Sequence, residues 1–260
     1  MRHSSPFLLV GLALLFCGCS SWIKPDAVTQ GAIFNALLAG QYDGTFTSKE
    51  VASWGDLGIG TFDGLDGEMI VVDGQTYQAD VKGRIRLLTT YTTPFATLKK
   101  FSPDICFQLD QPLTMDLLKA EIDRRIPDKN HVYAIRVTGK FSAVTVRSVP
   151  RQNKPYPLLT EVVKTQPVFE HRDLTGDVVG FRVPEYAQGI NVAGYHFHFL
   201  NQAKDVGGHV LALETAGVQV SLDRANGWHI MLPDNDAFRS WDGKGQGADA
   251  VKAVESKVMK

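Results

Sequence analysis

The residues best equipped for chemistry lie in one short stretch, Gly194-Tyr195-His196-Phe197-His198-Phe199-Leu200, followed by a polar turn and Gly207-Gly208-His209-Val210. Side chains alternate faces along a strand, so His196 and His198 share one face and Phe197 and Phe199 take the other. A turn centred near Ala203-Lys204 sets His209 opposite His198 on the returning strand. Three imidazoles then converge, which is the open three-ligand arrangement of catalytic zinc. Copper, iron and nickel also accept imidazole, so ligand type alone leaves the metal open. A single buried histidine is more often a hydrogen-bonded core residue, and a His-X-His pair is weak by itself. The third histidine on the paired strand favours a metal, because three imidazoles on one sheet face have little structural use without one.

Such a site needs strands to hold it, and the chain reads mostly as strands. Apolar, β-branched and aromatic runs bounded by glycine or polar turns occupy 57–62, 68–72, 76–79, 85–88, 95–98, 132–137, 141–149, 178–183, 218–222 and 228–232. Asp73-Gly74 is a hairpin turn signal. Helices are expected at 26–40, where Ile33, Leu37 and Leu38 recur behind a capping aspartate, at 48–54 as a single turn, and at 114–126. Residues 248–260 read as a short helical tail with a single glutamate, Glu255. Strict βαβ alternation is absent. The expected class is therefore α+β, with mixed or antiparallel sheets, few helices and the metal site on a β-hairpin.

The formal net charge of −1 supplies no basic field, so nucleic acid is excluded as a partner. Residues 1–18 read as an export signal, with an apolar run from Pro6 to Phe16 too short to span a bilayer. Leu15-Phe16-Cys17-Gly18-Cys19 resembles a lipoprotein lipobox, with Cys19 as the lipidated residue, although bulky Phe16 and Cys17 depart from the pattern. An ordinary cleaved signal is the alternative. Either way the protein is expected outside the cytoplasm, periplasmic or anchored by lipid. The remainder, 19–260, is expected as one catalytic domain, with Lys154-Pro155-Tyr156-Pro157 a candidate link between two sub-domains near 150–157. Cys106 then has no disulfide partner and reads as a small buried apolar residue.

Taken together, the motifs resemble the α-acetolactate decarboxylase family. They are Gly58-Ile59-Gly60-Thr61-Phe62, Leu65-Asp66-Gly67-Glu68, Val146-Arg147-Ser148-Val149, Lys154-Pro155-Tyr156, Lys164-Thr165-Gln166-Pro167, Gly189-Ile190-Asn191-Val192 and the histidine stretch. The resemblance runs from about Asn35 onward and is loose in the tail; Phe197 stands where the family often has an aliphatic residue. It implies decarboxylation of 2-acetolactate to acetoin and CO2, on zinc held by His196, His198, His209 and Glu255. It also implies Glu68 and Arg147 as catalytic residues, Thr61 lining the pocket, and a homodimer.

That chemistry suits these residue types. Losing CO2 from a β-keto acid leaves an enediolate, and the negative charge dominates the barrier. A metal ion offsets several kcal/mol of such charge, a fixed guanidinium orients the anion, and a protonated Glu68 can deliver a proton to one face. Without the resemblance each residue has a plainer reading: Glu68 as a solvated strand-end residue, Thr61 as a strand former, Glu255 as a solvated tail residue. Arg136 and Arg151 rival Arg147, and His131, His171 and His229 read as structural or surface residues. Two other functions fit the histidines, namely a different metal-dependent enzyme and a non-catalytic zinc-binding envelope lipoprotein.

Overall fold

The structure, a computed structural model, describes residues 26–255, so the export segment and Cys19 lie outside the described residues. Seven short strands build one sheet: β1 (Ala27–Gly31), β3 (Leu57–Thr61), β4 (Glu68–Val72), β5 (Gln75–Ala79), β6 (Ile85–Leu88), β8 (Ala96–Lys99) and β14 (Gly227–Met231). Their order is β14-β1-β8-β3-β4-β5-β6, antiparallel except where β14 runs parallel to β1. β2 (Phe46–Thr47) and β7 (Thr92–Thr93) form a separate pair. Asp73 and Gly74 both take positive φ, 51° and 74°, the backbone that a tight β4–β5 hairpin requires.

Five strands build the other sheet: β9 (Ile105–Leu109), β10 (Val132–Arg147), β11 (Val168–Val183), β12 (Gly194–Asn201) and β13 (Gly207–Ala225). The order is β10-β11-β12-β13-β9, and β10 pairs with β13 as well, which closes four long strands into a ring. The separate strands expected at 132–137 and 141–149 are one strand, because β10 is laddered on both sides over nearly its whole length. Ile59, Ile70 and Val72 of the first sheet meet Ala134, Val179, Phe181 and Leu200 of the second in a common core. Full burial of one such side chain is worth about 1.5–3 kcal/mol, so this seam fixes how the sheets face each other.

Among the described residues there are six helices, all short: α1 (Phe34–Leu38), α2 (Ser48–Trp54), α3 (Met115–Arg125), α4 (Leu159–Val162), α5 (Asp236–Ser240) and α6 (Ala248–Glu255). α2 opens on a capping box between Thr47 and Glu50. Leu37 and Leu38 of α1, Leu159 and Val162 of α4, and Val251 and Val254 of α6 join one apolar cluster with Phe62, Leu65 and Phe95.

Two more expectations change, for the first helix and for Cys106. The helix expected over 26–40 is a strand followed by five helical residues, because β1 finds ladder partners in both β8 and β14 and pairing overrides the helical spacing. Residues 150–157 lie, with α4, in the connection from β10 to β11, two strands of one sheet; the chain changes sheet between β8 and β9 and again between β13 and β14. Cys106 is exposed, since Ile105, Phe107 and Leu109 take the inward positions of edge strand β9 and the alternate residue must face out.

Candidate active site

Two ladders each bring half of the site to one place. In the five-stranded sheet, Arg147 of β10 pairs with His209 of β13, and His209 pairs with His198 of β12. Opposed residues in antiparallel strands project from the same face, so these three form a rung, with His196 two residues away on that face. Lys204, at φ 59°, makes the turn that sets this register. Gly208 is required beside it: a Cβ there would lie 2.6 Å from the Arg147 carbonyl oxygen. In the seven-stranded sheet, Thr61 of β3 pairs with Glu68 of β4. β4 packs on β12 and β13, and the Nδ1 of His198 lies 2.8 Å from the Met69 carbonyl oxygen, joining the sheets at the site.

Glu255 arrives from neither sheet. α6 is seated by buried Val251 and Val254, and it places Glu255 Oε2 3.8 Å from His196 Nε2 and 3.7 Å from His209 Nε2. Glu68 pairs with Arg147 and sets its other oxygen 3.5 Å from His198 Nε2. The second terminal nitrogen of Arg147 donates to the Val254 carbonyl at 3.4 Å. Thr61 donates its hydroxyl proton to the Gly67 carbonyl at 2.7 Å.

Burial sets the charge states. It lowers the pKa of His198 to about 3 and carries those of His196 and His209 well below 6.5, with Arg147 adding to the effect in each case. All three imidazoles are therefore neutral. A carbonyl can only accept, so His198 carries its proton on Nδ1 and has a lone pair on Nε2. The Nε2 atoms of His198 and His209 and the Nδ1 of His196 are buried without a hydrogen-bond partner. An unpaired buried polar group costs about 1–3 kcal/mol, a penalty a bound cation removes. One nitrogen from each ring lies within 4.8 Å of the others, so the three fit a single metal ion. The carboxyl groups point the same way. Burial raises the pKa of Glu68 against the opposing pull of Arg147, and it raises that of Glu255 to about 8. A cation at the histidines would draw Glu255 into its anionic form, as a ligand requires.

The structure thus gathers Thr61, Glu68, Arg147, His196, His198, His209 and Glu255 into one place. The rivals lie elsewhere: Arg136 pairs with Asp73 and Asp177, Arg151 with Asp63, and His131 with Asp128. What sequence reasoning missed is the apolar side. A chamber of about 30 Å³ over the polar groups is walled by Phe34, Leu37, Phe95, Leu159 and Val254. These residues carry no signal in the sequence, since an apolar residue against a ligand and one against the core look alike.

Residues 28–242 match the family model described as alpha-acetolactate decarboxylase. An α-acetolactate decarboxylase of Methylococcus capsulatus is 41% identical over 230 residues, 88% of this chain and 88% of the relative. One from Methanosarcina mazei is 42% identical over 214 residues, 82% of this chain and 74% of the relative. The crystal structure of the Bacillus subtilis α-acetolactate decarboxylase superposes with a TM-score of 0.87 at 35% identity, covering 89% of this chain and all of that one.

Proposed function

The chain belongs to the α-acetolactate decarboxylase family, and we propose that it converts 2-acetolactate to acetoin and CO2 on a zinc ion held by His196, His198, His209 and Glu255. The observation that carries this is three buried imidazoles that each offer a nitrogen within 4.8 Å of the others, beside a buried Arg147–Glu68 pair. A storage or structural metal site would need the ligands but not that pair.

Zinc held by these residues would supply Lewis acidity toward the negative charge that develops as CO2 leaves. The chain's own groups do the rest. Arg147, permanently charged and shielded from water, holds the substrate's anionic oxygens where a charge interaction is strong. Thr61 has committed its proton to Gly67, so its remaining lone pair accepts from a substrate hydroxyl. When the bond from C2 to the carboxylate breaks, its electron pair moves onto C2 and the adjacent ketone oxygen, and CO2 leaves. Glu68, whose pKa burial raises, gives a proton to C2 from one side, which yields one acetoin enantiomer. Solvent reprotonates Glu68, so the sum is acetolactate anion plus one proton giving acetoin plus CO2.

The test is acetoin and CO2 formation from racemic 2-acetolactate by the purified mature chain, with chelator and with zinc restored. Zinc-dependent formation of a single enantiomer is the expected result. A folded, zinc-loaded protein that makes no acetoin would overturn the assignment, and iron-dependent turnover would reassign the metal.

Two further parts of the reading concern the whole protein. The chain works as a homodimer; supporting this, β14 is a sheet edge that ends on the exposed Met231 and is followed by the exposed Leu232, and sedimentation of a pure monomer would refute it. It is exported and anchored through Cys19, where it meets acetolactate that has left the cell. Intact protein confined to the cytosol would refute that, and an unlipidated mature N-terminus would leave simple secretion.

A further inference from the structure

Two hydrogen bonds between the sheets flank Glu68. One runs from the Nδ1 of His198 to the carbonyl of Met69, the residue after Glu68 on β4. The other comes from Ser148, whose hydroxyl donates to the Ala79 carbonyl at 2.7 Å. Ala79 is the residue of β5 that stands opposite Glu68 in the β4–β5 ladder. Ser148 follows Arg147 at the end of β10, so its bond crosses from the five-stranded sheet to the seven-stranded one. Three consecutive residues thereby converge on one carboxyl. Arg147 pairs with Glu68, a backbone hydrogen bond from Val149 reaches the same carboxyl, and Ser148 ties down the strand beside it.

Arg147 and Val149 line the chamber, whereas Ser148 is buried and lies outside that lining, so it touches no substrate. Of the Val146-Arg147-Ser148-Val149 motif, the chemistry above uses Arg147 alone. The seam between the sheets is otherwise built largely from apolar contacts such as Ile59 and Ile70 against Val179 and Leu200. Such contacts are non-directional and tolerate small slides, while a short hydrogen bond fixes both distance and angle. We propose that Ser148 is a positioning residue for Glu68, an inference that rests on the acetolactate reading above. Its bond to Ala79 holds the β4–β5 pair against the end of β10. That sets the Glu68 carboxyl at one angle to the substrate carbon it protonates. With this tie removed, the His198 bond alone would hold β4 at this point of the seam.

The experiment measures kcat, KM and the enantiomeric excess of acetoin for zinc-saturated Ser148→Ala, with zinc content and urea melts read alongside. A small misplacement of a reacting group costs up to about a hundredfold in rate. kcat should therefore fall by roughly tenfold to a hundredfold and the enantiomeric excess should drop, while KM and bound zinc stay at wild-type values. Because the effect runs through Glu68, adding Ser148→Ala to Glu68→Gln should lower kcat little further. Ser148→Cys, of similar shape with a weaker donor, should fall between Ser148→Ala and the wild type, and it decides the matter if Ser148→Ala does not fold. A bond that is structural alone would lower the urea midpoint and leave kcat per folded molecule and the enantiomeric excess unchanged, and that result would overturn the proposal. So would full additivity with Glu68→Gln, or a variant whose main defect is a raised KM or lost zinc. Failure of the acetolactate reading looks different: the wild type itself makes no acetoin, and this inference falls with it.

Discussion

Lys99, at the end of β8, is as buried as His198 on β12, with 2% and 1% of their surfaces exposed. Lys99 Nζ lies 2.9 Å from Asp26 and 2.7 Å from Asp223, and the second Asp223 oxygen takes the Ser102 N–H at 2.6 Å. Burial alone would depress the lysine's pKa, but its two carboxylate partners outweigh that and raise it. Every buried atom there is matched from within the chain. Around His198 the matching fails at three imidazole nitrogens, and the Nε of Arg147 is unpaired as well. A saturated buried cluster is complete as a structural tie; an unsaturated one has room for chemistry.

The comparison predicts opposite outcomes when each cluster is cut. His198→Ala should bring bound metal well below one equivalent and lower decarboxylation by about a thousandfold or more, since losing the metal forfeits several kcal/mol of charge stabilisation. The metal-free variant should unfold at a somewhat lower denaturant concentration than the metal-free wild type, because the bond to Met69, about 1 kcal/mol, and the ring's contacts with His196 and His209 are lost. Metal analysis, kinetics and urea melts separate these effects. Wild-type turnover by the metal-free variant would break the comparison.

Glu68→Gln should come next, lowering kcat by roughly a hundredfold or more while metal content stays at one equivalent. The wild-type rate should fall as pH rises through the raised pKa of Glu68, since the protonated form is the donor. If the variant keeps both its rate and its enantioselectivity, the proton comes from elsewhere.

Lys99→Met is the matching cut in the saturated cluster. It leaves Asp223 buried without its cation, at a cost of about 3 kcal/mol in stability, read from urea melts. Turnover per folded molecule should not change. Because the folded-state pKa of Lys99 is raised, its contribution is complete below the unfolded-state value near 10.5 and is lost as pH climbs through the folded value. The wild type should therefore weaken in strong alkali more than Lys99→Met does. Equal alkaline slopes would show that the cluster contributes no linked stability.

How much of this the sequence shows follows the same division. The rung was legible because strand period and turn position are local: a turn at Ala203-Lys204 dictates that His209 meets His198. Arg147 was not separable from Arg136 or Arg151 by spacing, as its place depends on β10 pairing with a strand that begins sixty residues later. The resemblance singled it out. The residues of β1 suit a helix as well as a strand, and the deciding partners β8 and β14 lie far along the chain. Glu255 is the extreme case. The family model ends at residue 242, and only the packing of α6 brings the carboxylate to the histidines.

Thr61 falls between the two clusters and gives the smallest and sharpest test. Its hydroxyl proton is matched within the chain, as around Lys99, yet the residue lines the chamber, as His196 and His198 do. Thr61→Val keeps the shape and removes both functions. Losing the bond to the Gly67 carbonyl costs about 1 kcal/mol of stability, because that bond holds the loop between β3 and β4. If the oxygen also accepts from the substrate, KM rises by about fivefold to tenfold on top of that, since one neutral hydrogen bond is worth about 1 kcal/mol. Stability loss with unchanged KM would place Thr61 with Lys99 as structural; both losses together would place it with the rung.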